Sequence, residues 1–252
     1  MQRIAIVMSI LLLFAVAQSS FQTQLLNTGT IIGETPSTIF ENGFEEGNFS
    51  AWTGTNVYQG QFLTCVTATG EATPPHHGTY QAKAEINGSL PSTSAYAYKD
   101  LPTTNTTTNL RCYVYLSTYY TPWQPHETYL ATIAQDDSIL CQIGLTETTG
   151  ELVFIAFANG NTIILYSTKT LTTGVWHCIE MQRIQDQENG EYHVWLDETE
   201  LTEFRLTNLN TSSLIADRIY VGNYHGCAAH PPNQVTFYID CVKVSSTYIG
   251  KE

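Results

Sequence analysis

The fold is decided by ELVFIAFANGNTIILYS (151–167), two short apolar runs separated by a tight Asn-Gly-Asn turn (159–161). Val, Ile, Phe and Tyr favour strands, and Asn and Gly accept the positive φ angles that a hairpin turn requires. A second pair follows, VWHCIEMQRI (175–184) and EYHVWLDETEL (191–201), joined by a polar turn at 188–190. This stretch therefore predicts two consecutive antiparallel hairpins.

Runs of the same kind continue on both sides of this stretch, bounded by Gly, Asn, Asp or Pro, and no segment shows a convincing helical period. They are TYQAKAEI (79–86), AYAYKDL (95–101), LRCYVYL (110–116), YLATIA (129–134), ILCQIGL (139–145), DRIYVGNY (217–224) and VTFYIDCVKVS (235–245). So many strands in one chain predict an all-β protein, a two-sheet antiparallel β-sandwich.

The first residues predict export. Residues 1–17 carry one positive charge, then an uncharged apolar run and small residues, which is typical of a signal peptide, with a signal-anchor as the minor alternative. No later stretch is long and apolar enough to span a membrane, so we expect a secreted, extracellular protein without a membrane span in its mature chain. Residues 18–38 are predicted to be a short polar spacer, and residues 39–252 the folded domain.

Cysteine and asparagine usage agree with export. Six cysteines follow the signal peptide, an even number in a chain bound for an oxidising compartment, so we expect most of them to form disulfides. They are Cys65, Cys112, Cys141, Cys178, Cys227 and Cys241. Four sequons, at Asn48, Asn87, Asn105 and Asn210, could carry glycans or could arise by chance.

The formal net charge of −13 excludes nucleic acid as an expected partner, because phosphate binding needs clustered Lys and Arg.

The order of the motifs resembles the concanavalin A-like lectin and glucanase superfamily, in particular its laminin G-like jelly rolls. The matching motifs are FENGFEEGNFSAW (40–52), the Trp-His strand of GVWHCIEMQRI with its partner EYHVWLDETEL, and DRIYVGN followed by VTFYIDCVKVS. The resemblance covers roughly residues 40–248 and implies a jelly roll at 39–252. Members include lectins, glycan-binding modules, glucanases and polysaccharide lyases, so the resemblance implies a polysaccharide or glycan ligand without choosing between binding and cleavage.

Strand alternation gives candidate ligand-binding residues, because successive side chains point to opposite faces of a sheet. The apolar row of LRCYVYL is predicted to face the core, and its other row to face outward. The polar and aromatic outer residues of three strands are Lys83, Glu85, Arg111, Tyr113, Tyr115, His193 and Trp195. If these strands share one concave sheet, as the resemblance implies, the residues line a carbohydrate-binding groove; otherwise they are a solvated face.

A second candidate contact is the loop STYYTPWQPHE (117–127), where Tyr119, Tyr120 and Trp123 crowd between and beside two prolines. Aromatic side chains on a rigid loop suit ligand contact, or they could fold back and cap one end of the sandwich.

Catalytic activity can be judged from the motifs that enzymes of this superfamily carry. The two glutamates that the superfamily's glucanases carry as ExDxxE are absent. A lyase needs a cation or amide to neutralise a uronate, and a base, for which Arg111, Tyr113 and His193 are the candidates. Gly144 stands where one lyase group carries a His. No cofactor is required, although the resemblance implies that Glu41, Glu45 and Asp240 could share a structural Ca²⁺; alternatively, Asp240 only accepts backbone hydrogen bonds.

Three functional hypotheses remain open from the sequence. The first is a non-catalytic, lectin-like glycan-binding protein. The second is a polysaccharide lyase or another glycan-degrading enzyme acting in the groove. The third is a structural surface or adhesion module.

Overall fold

The computed structural model describes residues 37–58, 61–87, 93–102, 106–118, 127–146, 149–226 and 234–252. The predicted signal peptide, nearly all of the spacer and the three aromatic residues of the 117–127 loop lie outside these ranges, as do Cys227 and the sequon at Asn105.

The described residues form sixteen strands and one short 3-10 helix at Thr202–Phe204. The strands are β1 Thr38–Asn42, β2 Gly54–Tyr58, β3 Phe62–Val66, β4 Gln81–Asn87, β5 Thr93–Asp100, β6 Thr107–Thr118, β7 Glu127–Gln135, β8 Ser138–Thr146, β9 Glu151–Ala158, β10 Asn161–Thr170, β11 Trp176–Ile184, β12 Gly190–Leu196, β13 Thr199–Glu200, β14 Leu206–Leu209, β15 Arg218–Gly226 and β16 Gln234–Ser245. Within these ranges no helix is long and apolar enough to cross a membrane.

The strands form two antiparallel sheets that pack into a sandwich, as predicted. Sheet A has nine strands in the order β13-β12-β11-β6-β16-β4-β3, with β1 beside β16 and β14 beside β12. Sheet B has seven strands in the order β10-β9-β8-β7-β15-β5-β2. Strands that are distant in sequence, such as β6 and β16, lie side by side, so each sheet is held together by long-range pairing.

The core lies between the two sheets and follows the predicted alternation. Leu110, Cys112, Val114 and Leu116 of β6 all point inward and are buried, which confirms the apolar row of LRCYVYL. The matching inner row of sheet B includes Phe154 and its alternate neighbours on β9. Burial of these side chains from both sheets is the main contribution to stability, at about 1.5–3 kcal/mol for each large apolar residue.

The first predicted hairpin is confirmed. Strands β9 and β10 pair with each other, beginning with Ala158 opposite Asn161. The turn between them has φ angles of 55° at Asn159 and 72° at Gly160. Both residue types tolerate this left-handed conformation, which is why the sequence signal was decisive.

The prediction that most cysteines are paired is wrong for the described residues. Cys65, Cys112, Cys141, Cys178 and Cys241 all carry free thiols. Cys178 on β11 and Cys241 on β16 both contact Tyr113 of the intervening β6. Two strand spacings separate them, about 10 Å, which exceeds the Cα separation of about 7 Å that a disulfide can bridge.

Candidate functional site

The predicted groove residues lie together on one surface, the outer face of sheet A. Cross-strand pairing places Trp195, Glu180, Arg111 and Lys243 in one row, because paired residues of antiparallel strands point to the same side. A second row runs through Tyr115 and Lys83 by way of β16. The sequence therefore grouped these side chains correctly.

One segment of the chain, residues 246–252, crosses this face and covers its centre. The carboxylate of Glu180 accepts hydrogen bonds from the backbone N–H groups of Ile249 (2.8 Å) and Gly250 (2.9 Å). The Arg111 guanidinium donates to the Gly250 carbonyl and pairs with Glu252. Arg111 is 2% exposed, so its charge is satisfied by the chain itself and not available to a ligand.

Tyr113 is covered in the same way and is 1% exposed. Its hydroxyl accepts a hydrogen bond from the Glu252 N–H at 2.9 Å, and the His76 ring stacks on it with centroids 3.7 Å apart. Burial raises the pKa of Tyr113 to about 12. A buried, protonated phenol is poorly placed to act as a base.

The loop at 71–80 covers the other half of the face. The Tyr115 hydroxyl donates to the Ala72 carbonyl, and the Trp176 indole N–H donates to the Pro74 carbonyl at 3.3 Å. Lys83 pairs with Glu71 at 2.8 Å and with Glu85 at 3.1 Å. These contacts make most of the outer face of sheet A a packed surface.

His193 lies apart from the other two lyase candidates. Its ring nitrogens contact the carboxylates of Glu200 (2.7 Å) and Glu191 (2.8 Å), and its ring stacks on Trp195. Strand β11 lies between β12, which carries His193, and β6, which carries the other two candidates. The structure therefore does not bring the predicted catalytic trio to one reaction centre.

The carboxylates predicted for calcium have protein partners. Asp240 accepts hydrogen bonds from the N–H groups of His77 (3.0 Å) and Cys241 (2.7 Å), as the alternative interpretation expects. Glu45 accepts hydrogen bonds from the N–H groups of Thr79 and Tyr80, at the end of the 71–80 loop, while Glu41 pairs with Lys243. Among the described residues no group of three or more His, Cys, Asp or Glu is arranged to hold a metal ion.

The outer face of sheet B differs, because it carries a cluster of four tyrosines around Tyr220, namely Tyr96 and Tyr98 of β5 with Tyr220 and Tyr224 of β15. The rings of Tyr220 and Tyr224 are 4.0 Å apart, and Tyr96 meets both edge-on at 5.3 and 5.2 Å. Tyr96, Tyr98 and Tyr224 are partly exposed, whereas Tyr220 is buried. We call this surface the tyrosine face.

The row through Tyr220 continues across the sheet. Pairing joins Tyr98 to Tyr220, Tyr220 to Thr132, and Thr132 to Gln142, so four neighbouring strands each contribute one side chain. Thr132 is 0% and Gln142 is 2% exposed. Within the described residues, Thr132 Oγ1 and Gln142 Oε1 have no hydrogen-bond partner. Buried oxygens without partners are rare, and they mark positions that a ligand hydroxyl or a water molecule would satisfy.

Main-chain carbonyls hold the hydroxyls of two of these four tyrosines. Tyr220 donates to the Asp136 carbonyl at 2.7 Å, and Tyr224 donates to the Asp137 carbonyl at 3.1 Å. Burial raises the pKa of both hydroxyls. The rings are therefore fixed as protonated, rigid surfaces suited to stacking and hydrogen bonding.

Gly144 lies beside Gln142 on the same face and has no room for a side chain. A Cβ at this position would lie 2.5 Å from the Thr128 carbonyl oxygen and 2.9 Å from the Tyr129 ring. The close approach follows from a register shift between Tyr129 and Ala131 in β7. This backbone excludes the histidine that one lyase group carries here.

Sequence reasoning missed the tyrosine face, although a signal for it was present. Tyrosine stands two residues apart in AYAYKD (95–100) and four residues apart in IYVGNY (219–224), and either even spacing places the rings on one side of a strand. What the sequence did not show is that these two strands are neighbours in the same sheet.

Solved structures provide the comparison with known proteins. The chain is similar to an endo-β-1,4-glucuronan lyase from the fungus Trichoderma reesei, with 15% identity over 84% of this chain and 96% of that chain, and a TM-score of 0.62. It is also similar to a cellulose-induced protein, Cip1, with 15% identity over 84% and 100% and a TM-score of 0.61. The chain therefore shares the overall fold of these proteins, which here is a two-sheet antiparallel β-sandwich.

A third jelly roll, the alginate lyase vAL-1 from a Chlorella virus, is 12% identical over 83% of this chain and 99% of that chain, with a TM-score of 0.55. At the level of sequence, the chain matches no protein-family model and no curated protein. The resemblance expected from the motif order is confirmed for the fold, and these identities carry no activity over to this chain.

Proposed function

We propose that this protein is a secreted, non-catalytic glycan-binding jelly roll whose ligand lies on the tyrosine face. The observation that carries the proposal is the cluster of Tyr96, Tyr98 and Tyr224, whose rings stay partly exposed on the outer face of sheet B. Buried Tyr220 supports these rings from within the same row. Sugar rings present apolar faces that stack on aromatic rings and hydroxyls that bond amide and hydroxyl oxygens.

Two further features support binding without cleavage. Gly144 offers no base, and its surroundings exclude a larger residue. The hydroxyls of Tyr220 and Tyr224 donate to carbonyls and have raised pKa values, so they are protonated near neutral pH. Secretion is supported by the signal-like composition of residues 1–17.

A polysaccharide lyase is the second candidate, because two similar structures are named as a glucuronan lyase and an alginate lyase. The tyrosine face holds an amide, Gln142, that could neutralise a uronate, and a partly exposed phenol, Tyr224, that could exchange a proton. This assignment requires Tyr224 to release its bond to the Asp137 carbonyl.

The test is a binding screen of the mature protein against a polysaccharide panel, with a parallel ultraviolet assay for unsaturated uronate products. We expect binding without product. Tyr98→Ala and Tyr224→Ala should each weaken binding about tenfold, the size expected for losing one aromatic contact. Trp195→Ala on the outer face of sheet A is the matched control and should bind like the wild type.

Melting curves first establish that each variant folds. Equal loss of binding in Trp195→Ala would place the ligand on sheet A instead. Product formation that disappears in Tyr224→Phe would make the protein a lyase. Absence of both binding and product would leave the structural surface module as the function.

A further inference from the structure

The cations of this chain can be accounted for completely. The sequence contains ten Lys and Arg residues, and only Arg3 lies outside the described residues. The other nine are Lys83, Lys99, Arg111, Lys169, Arg183, Arg205, Arg218, Lys243 and Lys251. The residues after 36 that lie outside the described ranges therefore contain no Lys or Arg.

Most of these cations are directed away from the tyrosine face. Sheet A carries Lys83, Arg111 and Lys243, each in an ion pair. Arg183 is buried and donates to the carbonyls of the 211–214 segment. The Lys99 ammonium donates to the Ala51 carbonyl.

Three of the remaining cations also lie elsewhere. Lys251 belongs to the 246–252 segment over the outer face of sheet A, between Gly250, which bonds Glu180, and Glu252, which bonds Tyr113. Arg205 pairs with Glu200 at the edge of sheet A. Lys169 lies in the electrostatic field of Glu203, beside the 3-10 helix.

Arg218 is the one cation in the cross-strand rows of the tyrosine face among the described residues, and its charge is already used. Its Nε donates to Asp100 Oδ1 at 2.6 Å, and its Nη1 lies 3.4 Å from Asp137 Oδ1. The guanidinium also covers the Tyr98 ring at 5.0 Å. Two carboxylates surround one guanidinium, so this end of the face has no positive charge to offer a ligand.

The opposite end of the face is acidic as well. Glu127 at the start of β7 pairs with Thr146 and points outward like Tyr129 two residues later. Glu151 at the start of β9 points outward like Val153. A long polymer lying across the face would meet carboxylates at both ends.

We infer that the tyrosine face binds a neutral polysaccharide and rejects polymers of uronic acids, an inference that rests on the proposed function. Each sugar unit of a polyuronate carries a carboxylate, which must be neutralised by a cation or by strong donors when water is removed. This face offers the partly exposed rings of Tyr96, Tyr98 and Tyr224, which suit the apolar faces of a neutral sugar. Its fixed carboxylates repel an anionic chain, and like-charge contacts of this kind suppress wrong partners.

The experiment uses pairs of polysaccharides that differ only in the carboxylate. One pair is a soluble β-1,4-glucan oligomer and the same oligomer oxidised at C6 to the uronate. The other pair is alginate and carboxyl-reduced alginate. Affinities of the full-length mature protein are measured at about pH 8, where ordinary histidines with pKa about 6.5 are uncharged.

We expect at least one neutral member to bind, with an affinity at least tenfold higher than that of its carboxylated partner. Equal or stronger binding of the carboxylated member would overturn the inference and leave the proposed glycan function standing. Binding of neither member in both pairs would overturn the inference together with the proposed function.

A charge variant tests the cause. In Asp100→Asn/Asp137→Asn the Arg218 guanidinium loses its partners, so binding of the carboxylated member should rise about fivefold and fall again with added salt. The control Glu188→Gln/Glu198→Gln removes the same number of charges from turns beside sheet A. An equal rise in the control would show that net charge, and not the local acidic surface, excludes the uronates.

Discussion

The outer faces of the two sheets carry similar residue types and use them differently. On sheet A, Arg111, Glu180 and Tyr113 are bonded by the 246–252 segment, and the loop at 71–80 covers Tyr115 and Trp176. On sheet B, Tyr96, Tyr98 and Tyr224 remain partly exposed. Among the described residues both faces have buried polar atoms without a partner, such as Arg111 Nε on sheet A and Gln142 Oε1 on sheet B. On both faces the outward side chains come from alternate positions along β-strands.

The difference teaches that the outward direction of a side chain does not make it accessible. Strand alternation decides which sheet face a residue occupies, whereas coverage depends on segments that are remote in sequence. A polar row that other segments of the chain cover contributes to stability, whereas aromatic rings that stay partly exposed remain available to a ligand. Mutations on the outer face of sheet A should therefore mainly lower stability, and mutations on the tyrosine face should mainly lower glycan binding.

The largest expected effect is on sheet A. Arg111→Met leaves the buried carboxylate of Glu180 without its neighbouring cation and releases Glu252, so it should lower the free energy of unfolding by about 3 kcal/mol. Urea denaturation measures this loss. Lys243→Met, which breaks a more exposed ion pair in the same row, is the control and should cost less than about 1 kcal/mol.

Glycan binding by folded Arg111→Met should remain unchanged. A variant that keeps wild-type stability but loses binding would reverse the assignment of the two faces.

The second effect is steric and belongs to sheet B. Gly144→Ala places a Cβ 2.5 Å from the Thr128 carbonyl oxygen, and the strand must shift, so we expect a loss of about 2 kcal/mol in the free energy of unfolding. Gly43→Ala is the matched control, because its nearest neighbour, Asp240 Oδ1, is 3.7 Å away. Equal stability of the two variants would show that β7 adjusts freely at its register shift.

The smallest effect is electrostatic. The Arg205 guanidinium, followed by His193, holds the pKa of Glu200 at about 2, below its ordinary value of 4.5. Since the folded-state pKa is lowered, the pair stabilises the fold above pH 4.5 and loses its contribution as the pH falls towards 2. Glu200→Gln should lower the melting temperature by about 2 °C near neutral pH.

Melting curves at several pH values check this trend, because the difference from the wild type should shrink as the solution becomes more acidic. A difference that stays constant with pH would indicate lost packing instead of a lost ion pair. Glu188→Gln, in the exposed turn before β12, provides the baseline.

Much of the fold was predictable from local signals. The Asn159–Gly160 turn and the inner row of β6 follow from residue preferences that act within one hairpin or one strand. Strands β1, β2 and β3 were not predicted, because they are only five residues long and mostly exposed or half-buried. Their place in the sheets depends on distant partners such as β16.

The site was less predictable for a related reason. Grouping Lys83, Arg111 and His193 on one face required only alternation and the resemblance, and this grouping is correct. The covering of Arg111 by residues 246–252 requires knowledge of where a segment without regular structure runs. Tyr98 and Tyr220 are neighbours only because β5 lies beside β15, and no local sequence pattern encodes this strand order.

The place of β6 between β11 and β16 also matters during protein synthesis. Strand β6 ends at Thr118, whereas its neighbour β16 begins only at Gln234. On the ribosome, the nascent sheet A therefore keeps an open hydrogen-bonding edge along β6 while all the intervening strands emerge. Such an edge pairs readily with other chains, so early translation products of this protein should depend on chaperones until Gln234–Ser245 has been made.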